Sequence, residues 1–145
     1  MLLTDVERAY IAGIFDGEGT VSISPSLSQV SIEITNTDRD ILLWIESFFP
    51  FKRCTIKKIE KCKQAHRIYL SDQVGVRNFI RSIEPFVRIK REQLLIALSF
   101  IATMNNRGEK LALESKEDIM LRRAILKIQL RDLNRRGDSF IRRDL

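Results

Sequence analysis

The chain has 145 residues, 44% of them hydrophobic, which predicts one globular domain, 1–145, with an ordinary core. Its formal net charge of +6 makes a polyanion such as nucleic acid a suitable partner. Two cysteines exclude a disulfide framework, the N-terminus lacks a basic-then-apolar signal, and the longest apolar stretch, 94–104, is too short to span a membrane. These features predict an intracellular protein that is neither secreted nor held in a membrane.

The first predicted helix begins at a capping box formed by Thr4 and Glu7 and covers about 5–16. A glycine inside a helix costs about 1 kcal/mol relative to alanine, so close contact with a second helix is the expected compensation. One face of this helix is small enough to allow that contact, and it consists of Ala9, Ala12, Gly13 and Asp16.

Two acids separated by one glycine come next. Gly17 is expected to end the helix, because glycine accepts the left-handed conformation that follows a last helical turn. Glu18 then places a carboxylate at the negative end of the helix dipole, where oxygen ligands would attract a hard divalent cation. The alternative is that this acid–Gly–acid–Gly turn only caps the helix.

Polar and apolar residues then alternate in two successive strand–strand–helix units. The expected strands are 20–24, 29–35, 53–57 and 67–70. The helix that follows each pair has a capping residue before it and a proline near its end, and the two helices cover about 39–49 and 73–83.

The last third of the chain is predicted to be helical. An apolar helix reaches about Met104, and a polar loop, 105–115, leads to a final helix that Gly137 ends. The tail, 138–145, is expected to be mobile. The arginines of the final helix either contact a DNA backbone or form its solvated face, and its apolar stripe consists of Ile119, Ile125, Leu126 and Leu130.

The nine residues from Ile11 to Gly19 resemble, position for position, the signature of the LAGLIDADG homing endonucleases. Isoleucine replaces the first leucine, phenylalanine takes the fifth position, and Gly-Glu replaces Ala-Asp. The α-β-β-α-β-β-α order is similar to that family's plan, so the resemblance covers roughly the whole chain. It implies an α+β fold in which an antiparallel sheet forms a DNA-binding saddle and the helices pack on the other face.

The resemblance also implies roles for the motif residues. Glu18, at the eighth motif position, would bind Mg²⁺ or Mn²⁺, the carbonyl of Gly17 would also reach the metal, and Asp16 would be mainly structural. One motif cannot serve both strands of a duplex, so a homodimer is expected, with the small face of the first helix at its interface.

Three further residues are candidates for the active site. Lys90 lies in a segment, 85–90, that is similar to the one carrying the family's active-site lysine; the alternative is a solvated basic run. Asn36 falls where single-motif members carry a polar residue that holds a water, and a helix cap is an equally good interpretation. The basic residue expected next aligns with Asp40, so either the neighbouring Arg39 replaces it or it is missing.

The polar faces of the four strands could contact base edges, because a two-stranded ribbon fits the major groove. Any antiparallel sheet with one wet face shows the same pattern. The predicted DNA-contacting residues are Ser22, Ser24, Gln29, Ser31, Glu33, Thr35, Arg53, Thr55, Lys57, Arg67 and Tyr69.

The favoured function is that of a site-specific homing endonuclease, which makes double-strand breaks in a long, near-palindromic DNA target by metal-dependent phosphodiester hydrolysis. One alternative is an RNA maturase with intron RNA as its partner. The other is a noncatalytic DNA-binding protein, against which the retention of Glu18 argues. A zinc site built from Cys54, Cys62 and His66 is disfavoured, because no fourth ligand has suitable spacing.

Overall fold

The computed structural model describes residues 2–56, 58–104 and 115–143, with side chains up to residue 135. A helix is followed by two strand–strand–helix units and two more helices, which confirms the predicted order and the α+β fold. The elements are α1 Asp5–Glu18, β1 Gly19–Ile23, β2 Val30–Asn36, α2 Arg39–Glu46, β3 Lys52–Thr55, β4 His66–Leu70, α3 Gln73–Ile83, α4 Arg91–Ala102 and α5 Lys116–Arg143.

The four strands form one antiparallel sheet in the order β1-β2-β4-β3. One face of the sheet is apolar and buried under the helices, and it carries Val21, Ile23, Val30, Ile32, Ile34, Ile68 and Leu70. Phe15 of α1 and Phe79 of α3 meet edge to face beneath it, with their ring centroids 6.0 Å apart. Because each such side chain contributes about 1.5–3 kcal/mol on burial, this face fixes the sheet and leaves the other face to solvent.

Helix α1 extends two residues further than expected, so Gly17 does not end it. The C-cap is Gly19, whose φ of −84° is open to any residue, so its conformation does not require glycine. The packing around this position does require glycine, because a Cβ at Gly19 would lie 2.1 Å from Cδ2 of Phe15. The helix therefore ends where the chain passes tightly beneath that ring, and Glu18 belongs to its last turn.

Three other expectations about the helices need correction. Helix α5 continues through Gly137 to Arg143, because a single glycine weakens a helix without breaking it and no proline follows. Ile125 is 48% exposed rather than part of the apolar stripe, whereas Leu130 is buried. Helix α2 ends at Glu46, before the predicted 49, because the chain then turns to bury Phe49.

The predicted polar loop lies mainly outside the described residues, because 105–114 are not covered. Lys57, a predicted DNA-contacting residue, also lies outside them. Within the described part of the chain, no helix combines the length and apolar character needed to cross a bilayer.

Candidate active site and nucleic-acid interface

The carboxylate of Asp16, near the end of α1, holds the segment that leads into α4. Its Oδ2 accepts a hydrogen bond from the backbone N–H of Arg88 at 2.9 Å. Its Oδ1 accepts from the backbone N–H groups of Ile89 at 3.1 Å and Lys90 at 3.0 Å. Hydrogen bonds to a charged acceptor are among the stronger ones in proteins, so Asp16 fixes the main chain at Lys90.

The side chain of Lys90 consequently reaches the end of the motif. Its Nζ donates to the carbonyl oxygen of Gly19 and lies 5.9 Å from the centroid of the Phe15 ring. Burial lowers the pKa of the Lys90 ammonium, while the negative charges of Asp16 and Glu18 act to raise it. The structure therefore brings Lys90 and the two motif acids into one electrostatic group.

Glu18 is exposed in the last turn of α1, directly before β1 begins. Its carboxylate and the nearby main-chain carbonyls, including that of Gly17, are hard oxygen donors, the type of ligand that Mg²⁺ and Mn²⁺ accept. No three His, Cys, Asp or Glu side chains form a ligand cluster within the described residues. Because the carboxylate of Asp16 is occupied by three backbone hydrogen bonds, Glu18 is the one motif carboxylate that a single chain offers to a metal ion.

Asn36 ends β2 at the same end of the sheet. Because Gly19 pairs with Ile34, the last two residues of β2 run past the start of β1 toward Glu18. The Oδ1 of Asn36 accepts from the backbone N–H of Asp38 at 2.9 Å. Asp38, not Asn36, is the N-cap of α2. Asn36 therefore shapes the turn before the helix and lies at the end of the sheet where β1 begins after Glu18.

Arg39 lies elsewhere. It lines a cavity of about 370 Å³ between α2 and strands β3 and β4, together with His66. A different cavity, of about 710 Å³, is lined by Lys90 and Gly19 together with Asn134 of α5. The two cavities share no lining residue, so the structure does not group Arg39 with Lys90.

Most of the predicted DNA-contacting side chains share the polar face of the sheet. Three cross-strand pairs lie on it: Ser22 with Ser31, Glu33 with Tyr69, and Thr35 with Arg67. Ser24 and Gln29 pair at the turn between β1 and β2, where the N–H of Ser24 donates to the carbonyl of Gln29 at 2.9 Å.

Strand β3 has the opposite orientation to the one predicted. Arg53 pairs with the buried Ile68, so Arg53 and Thr55 face the helical side of the sheet. Arg53 donates from Nε to Oε2 of Glu46 in α2 at 2.7 Å. The prediction was wrong because a shift of one residue moves every side chain of a strand to the other face.

Lys52 and Cys54 take the places on the polar face that Arg53 and Thr55 were expected to fill, since they pair with Tyr69 and Arg67. Sequence reasoning missed them, and it also missed Thr20, which pairs with Glu33. Cys54 and His66 point to opposite faces of the sheet, because Cys54 pairs with Arg67 while His66 is the next residue along β4.

The sequence over residues 5–84, more than half of the chain, matches the profile of the family described as LAGLIDADG-like domain. The chain belongs to the LAGLIDADG family. No curated protein is significantly similar to it in sequence.

Solved structures of LAGLIDADG homing endonucleases share the fold. The homing endonuclease I-CvuI in complex with its target has a TM-score of 0.66 at 18% identity, with 89% of this chain and 82% of that chain covered. The archaeal intron-encoded I-Vdi141I complexed with DNA has a TM-score of 0.69 at 19% identity, covering 89% and 84%. The meganuclease I-AabMI bound to uncleaved DNA has a TM-score of 0.61 at 20% identity, covering 83% and 43%.

The outer face of α1 in this LAGLIDADG chain differs in part from the expected one. Ala12 is fully buried in the core of its own chain, so it cannot face a second copy, and Asp16 uses its carboxylate within the chain. A Cβ added at Gly13 or Gly17 would meet nothing within 4 Å. The exposed face, called here the α1 outer face, consists of Val6, Ala9, Tyr10, Gly13 and Gly17.

The arginines of α5 differ among themselves. Arg123 donates to the carbonyl oxygens of Leu27 at 3.1 Å and Thr103 at 3.0 Å, so it joins α5 to the rest of the chain. Arg131 and Arg135 are exposed, and the side chain of Arg136 lies outside the described residues.

Proposed function

We propose that this protein is a site-specific homing endonuclease that makes double-strand breaks in DNA as a homodimer, using Mg²⁺ or Mn²⁺, inside the cell. The observation that carries the proposal is the hydrogen bond from Nζ of Lys90 to the carbonyl oxygen of Gly19, the residue that follows Glu18, in a segment that Asp16 secures through three backbone hydrogen bonds. An ammonium within electrostatic reach of an exposed carboxylate, at the end of a polar sheet face, suits the hydrolysis of a phosphodiester.

The residues of the site divide the chemistry between them. Glu18, with the carbonyl of Gly17, would hold the divalent ion, which supplies water activation and relief of phosphate charge when bound. Lys90 donates from Nζ and can turn from Gly19 toward a phosphate oxygen that gains charge in the transition state. Asn36, at the same end of the sheet, would orient the attacking water through its amide. Arg39 would act from its separate cavity on the flanking backbone rather than on the reacting atoms.

The homodimer would form through the α1 outer face. Its glycines leave room for a second helix, and its exposed Val6 and Tyr10 supply apolar area for the contact. A two-fold axis along this face would bring two Glu18 side chains together, one for each DNA strand. Two carboxylates and the phosphates would then provide the several oxygen ligands that a divalent ion takes.

The polar face of the sheet would select the target. Strand β2 has seven residues and rises about 3.3 Å per residue, so it follows about seven base pairs. Two subunits and a central segment then cover about twenty base pairs, and two-fold symmetry makes the target nearly palindromic. Intron RNA is the partner under the alternative hypothesis of a maturase, and the test below separates it from duplex DNA.

The test is selection of cleaved molecules from a randomised duplex library, in the presence of Mg²⁺ and in the presence of EDTA. We expect near-palindromic duplexes to be cut on both strands with Mg²⁺ alone. Enrichment of bound but uncut duplexes under both conditions would point to a noncatalytic DNA-binding protein. A gel shift on structured RNA is run in parallel, and RNA binding without any preferred duplex would favour a maturase. Either result would overturn the proposal.

A further inference from the structure

Arg67 is held from two sides on the polar face of the sheet. Its Nη2 donates to Sγ of Cys54 at 3.3 Å, and its Nη1 lies 3.5 Å from Oε2 of Glu33. Cys54 is the direct cross-strand neighbour of Arg67 on β3, whereas Glu33 is the diagonal neighbour on β2, opposite Tyr69. The guanidinium is therefore oriented by residues from both flanking strands before any ligand is present.

The contacts with Cys54 and Glu33 do not use all the donors of this guanidinium. Arginine carries five N–H donors, and the Nε of Arg67 is buried with no hydrogen-bond partner among the described residues. The side chains of Arg67 and Glu33 are each 36% exposed, so a donor edge and an acceptor edge remain open to a ligand. The hydrogen bond to Cys54 and the charge of Glu33 both raise the pKa of Arg67. Arginine is protonated in proteins in any case, so the donor edge is charged.

We propose that Glu33, Arg67 and Cys54 read G·C base pairs in each half-site: Arg67 donates to guanine, Glu33 accepts from N4 of cytosine, and Cys54 positions Arg67. The proposal rests on the proposed function. Arginine pairs in a bidentate manner with O6 and N7 of guanine, and glutamate accepts from the cytosine amino group in the major groove. Nη1 of Arg67 and Oε2 of Glu33 lie 3.5 Å apart, so the two charges can reach the same base pair or two adjacent ones.

Glu33 adds discrimination rather than affinity. Its carboxylate faces a polyanion and would repel it, so it weakens binding to every sequence that offers no amino group at that point. The Ser22–Ser31 pair, with its hydroxyl oxygens 2.8 Å apart, carries no charge on the same face and cannot impose a comparable penalty. The Arg67–Glu33 cluster should therefore mark the most strictly read position of the half-site.

The experiment measures binding without cleavage. A preferred duplex is selected with the wild-type homodimer in EDTA from a randomised library of about 24 base pairs, long enough for the expected target. Competition against every single-base-pair variant of that duplex then gives a preference profile for the wild type and for Arg67→Ala, Glu33→Gln, Cys54→Ala and the control Ser22→Ala. Thermal unfolding confirms that each variant folds, and Cys54→Ser replaces Cys54→Ala if the latter does not.

We expect the wild type to prefer G·C by between about fivefold and about 150-fold at one position or two adjacent positions. Arg67→Ala and Glu33→Gln should reduce that preference at the same place, and Glu33→Gln should also tighten binding to unrelated DNA. Cys54→Ala should weaken the preference there and leave the other positions unchanged. Ser22→Ala should change a different position or none.

If Arg67→Ala and Glu33→Gln change the base preference at separate, non-adjacent positions, the proposal that Arg67 and Glu33 read the same or adjacent G·C base pairs is overturned. If the Cys54 variants leave the preference profile unchanged, Cys54 does not position Arg67 for base recognition. In both cases the selected duplex is still bound, so the proposed function survives. If selection recovers no preferred duplex, the proposed function fails, and this inference fails with it.

Discussion

The backbone N–H of Lys90 donates to the carboxylate of Asp16 at 3.0 Å, although 74 residues separate them in the chain. Two further backbone N–H groups of the same segment bond to that carboxylate. The motif helix and the entry to α4 are thereby joined at one side chain.

Asp16→Asn should destabilise the fold and slow cleavage together, because the amide loses the charge that strengthens three hydrogen bonds. We expect a loss of about 1–3 kcal/mol in the free energy of unfolding, measured by urea denaturation. Asp132→Asn, an exposed position on α5, is the matched control and should stay within about 0.5 kcal/mol of the wild type. Equal stability of the two variants would show that the three bonds contribute little.

Glu18→Gln should abolish cleavage while leaving specific binding largely intact. Glutamine keeps the size of the side chain but loses the charge that attracts a divalent cation, and Glu18 is exposed, so folding is unaffected. The checks are a nicking assay with Mg²⁺ and a gel shift in EDTA, with Glu117→Gln on α5 as the control. Normal cutting by Glu18→Gln at saturating protein would contradict its role as metal ligand.

Lys90→Ala should slow cleavage by about 100-fold or more with only a small loss of affinity, because its ammonium acts on charge that develops in the transition state. The neighbouring Arg88→Ala is the control: an arginine that contacts only a phosphate weakens binding and lowers the salt slope by about one. Single-turnover rates and binding at several salt concentrations separate the two. If Lys90→Ala behaves like Arg88→Ala, Lys90 is a backbone anchor.

Gly13→Phe should convert a dimer into a folded monomer that no longer cuts both strands. A Cβ at Gly13 meets nothing within 4 Å and the position is exposed, so the substitution should disturb mainly a partner on the α1 outer face. Ser99→Phe places the same ring on an exposed position of α4 and should leave the dimer intact. Light scattering gives the mass of each variant, and a fully active monomeric wild type would refute the assembly.

Arg53→Ala should leave the base preference unchanged, because Arg53 faces the helices and is bonded to Glu46. Arg67→Ala should relax preference at one position, or two adjacent ones, in each half-site, with a loss of about 1–3 kcal/mol in binding free energy. Cleavage profiles of both variants on the same duplex library distinguish them. The opposite outcome would mean that the helical side of β3 meets the DNA.

The order of elements was predictable because strong local signals mark it: the capping box at Thr4, and the alternation of Val30, Ile32 and Ile34 in β2. The side of the sheet that each β3 side chain faces was not predictable from the sequence. Its four residues are Lys-Arg-Cys-Thr, without an apolar repeat, so only its pairing with Ile68 of β4 decides which side chains face the core. Local patterns cannot carry that information.

The candidate site was predictable in composition and not in geometry. Glu18 was identified from its place at the end of the first helix and from the resemblance to the family signature, and Lys90 from the resemblance alone. Their separation in the sequence does not predict that they come together. The position of Lys90 depends on the three backbone hydrogen bonds to Asp16, which join residues more than 70 positions apart in the sequence. The role of Gly19 was equally hidden, because its need for glycine arises from the ring of Phe15 and not from its own torsion angles.

Gly19 has a consequence for how this protein can change over generations. Any side chain there would displace the Phe15 ring, which packs against Phe79 on one side and lies beneath the Lys90 ammonium on the other. The core and the proposed catalytic group, Lys90, would move together, so a substitution at Gly19 that changes one also disturbs the other. Glu18, one residue earlier, is exposed, so a substitution there does not disturb the packing of the core. Loss of cutting should therefore begin at Glu18, in a lineage whose scaffold and DNA affinity survive.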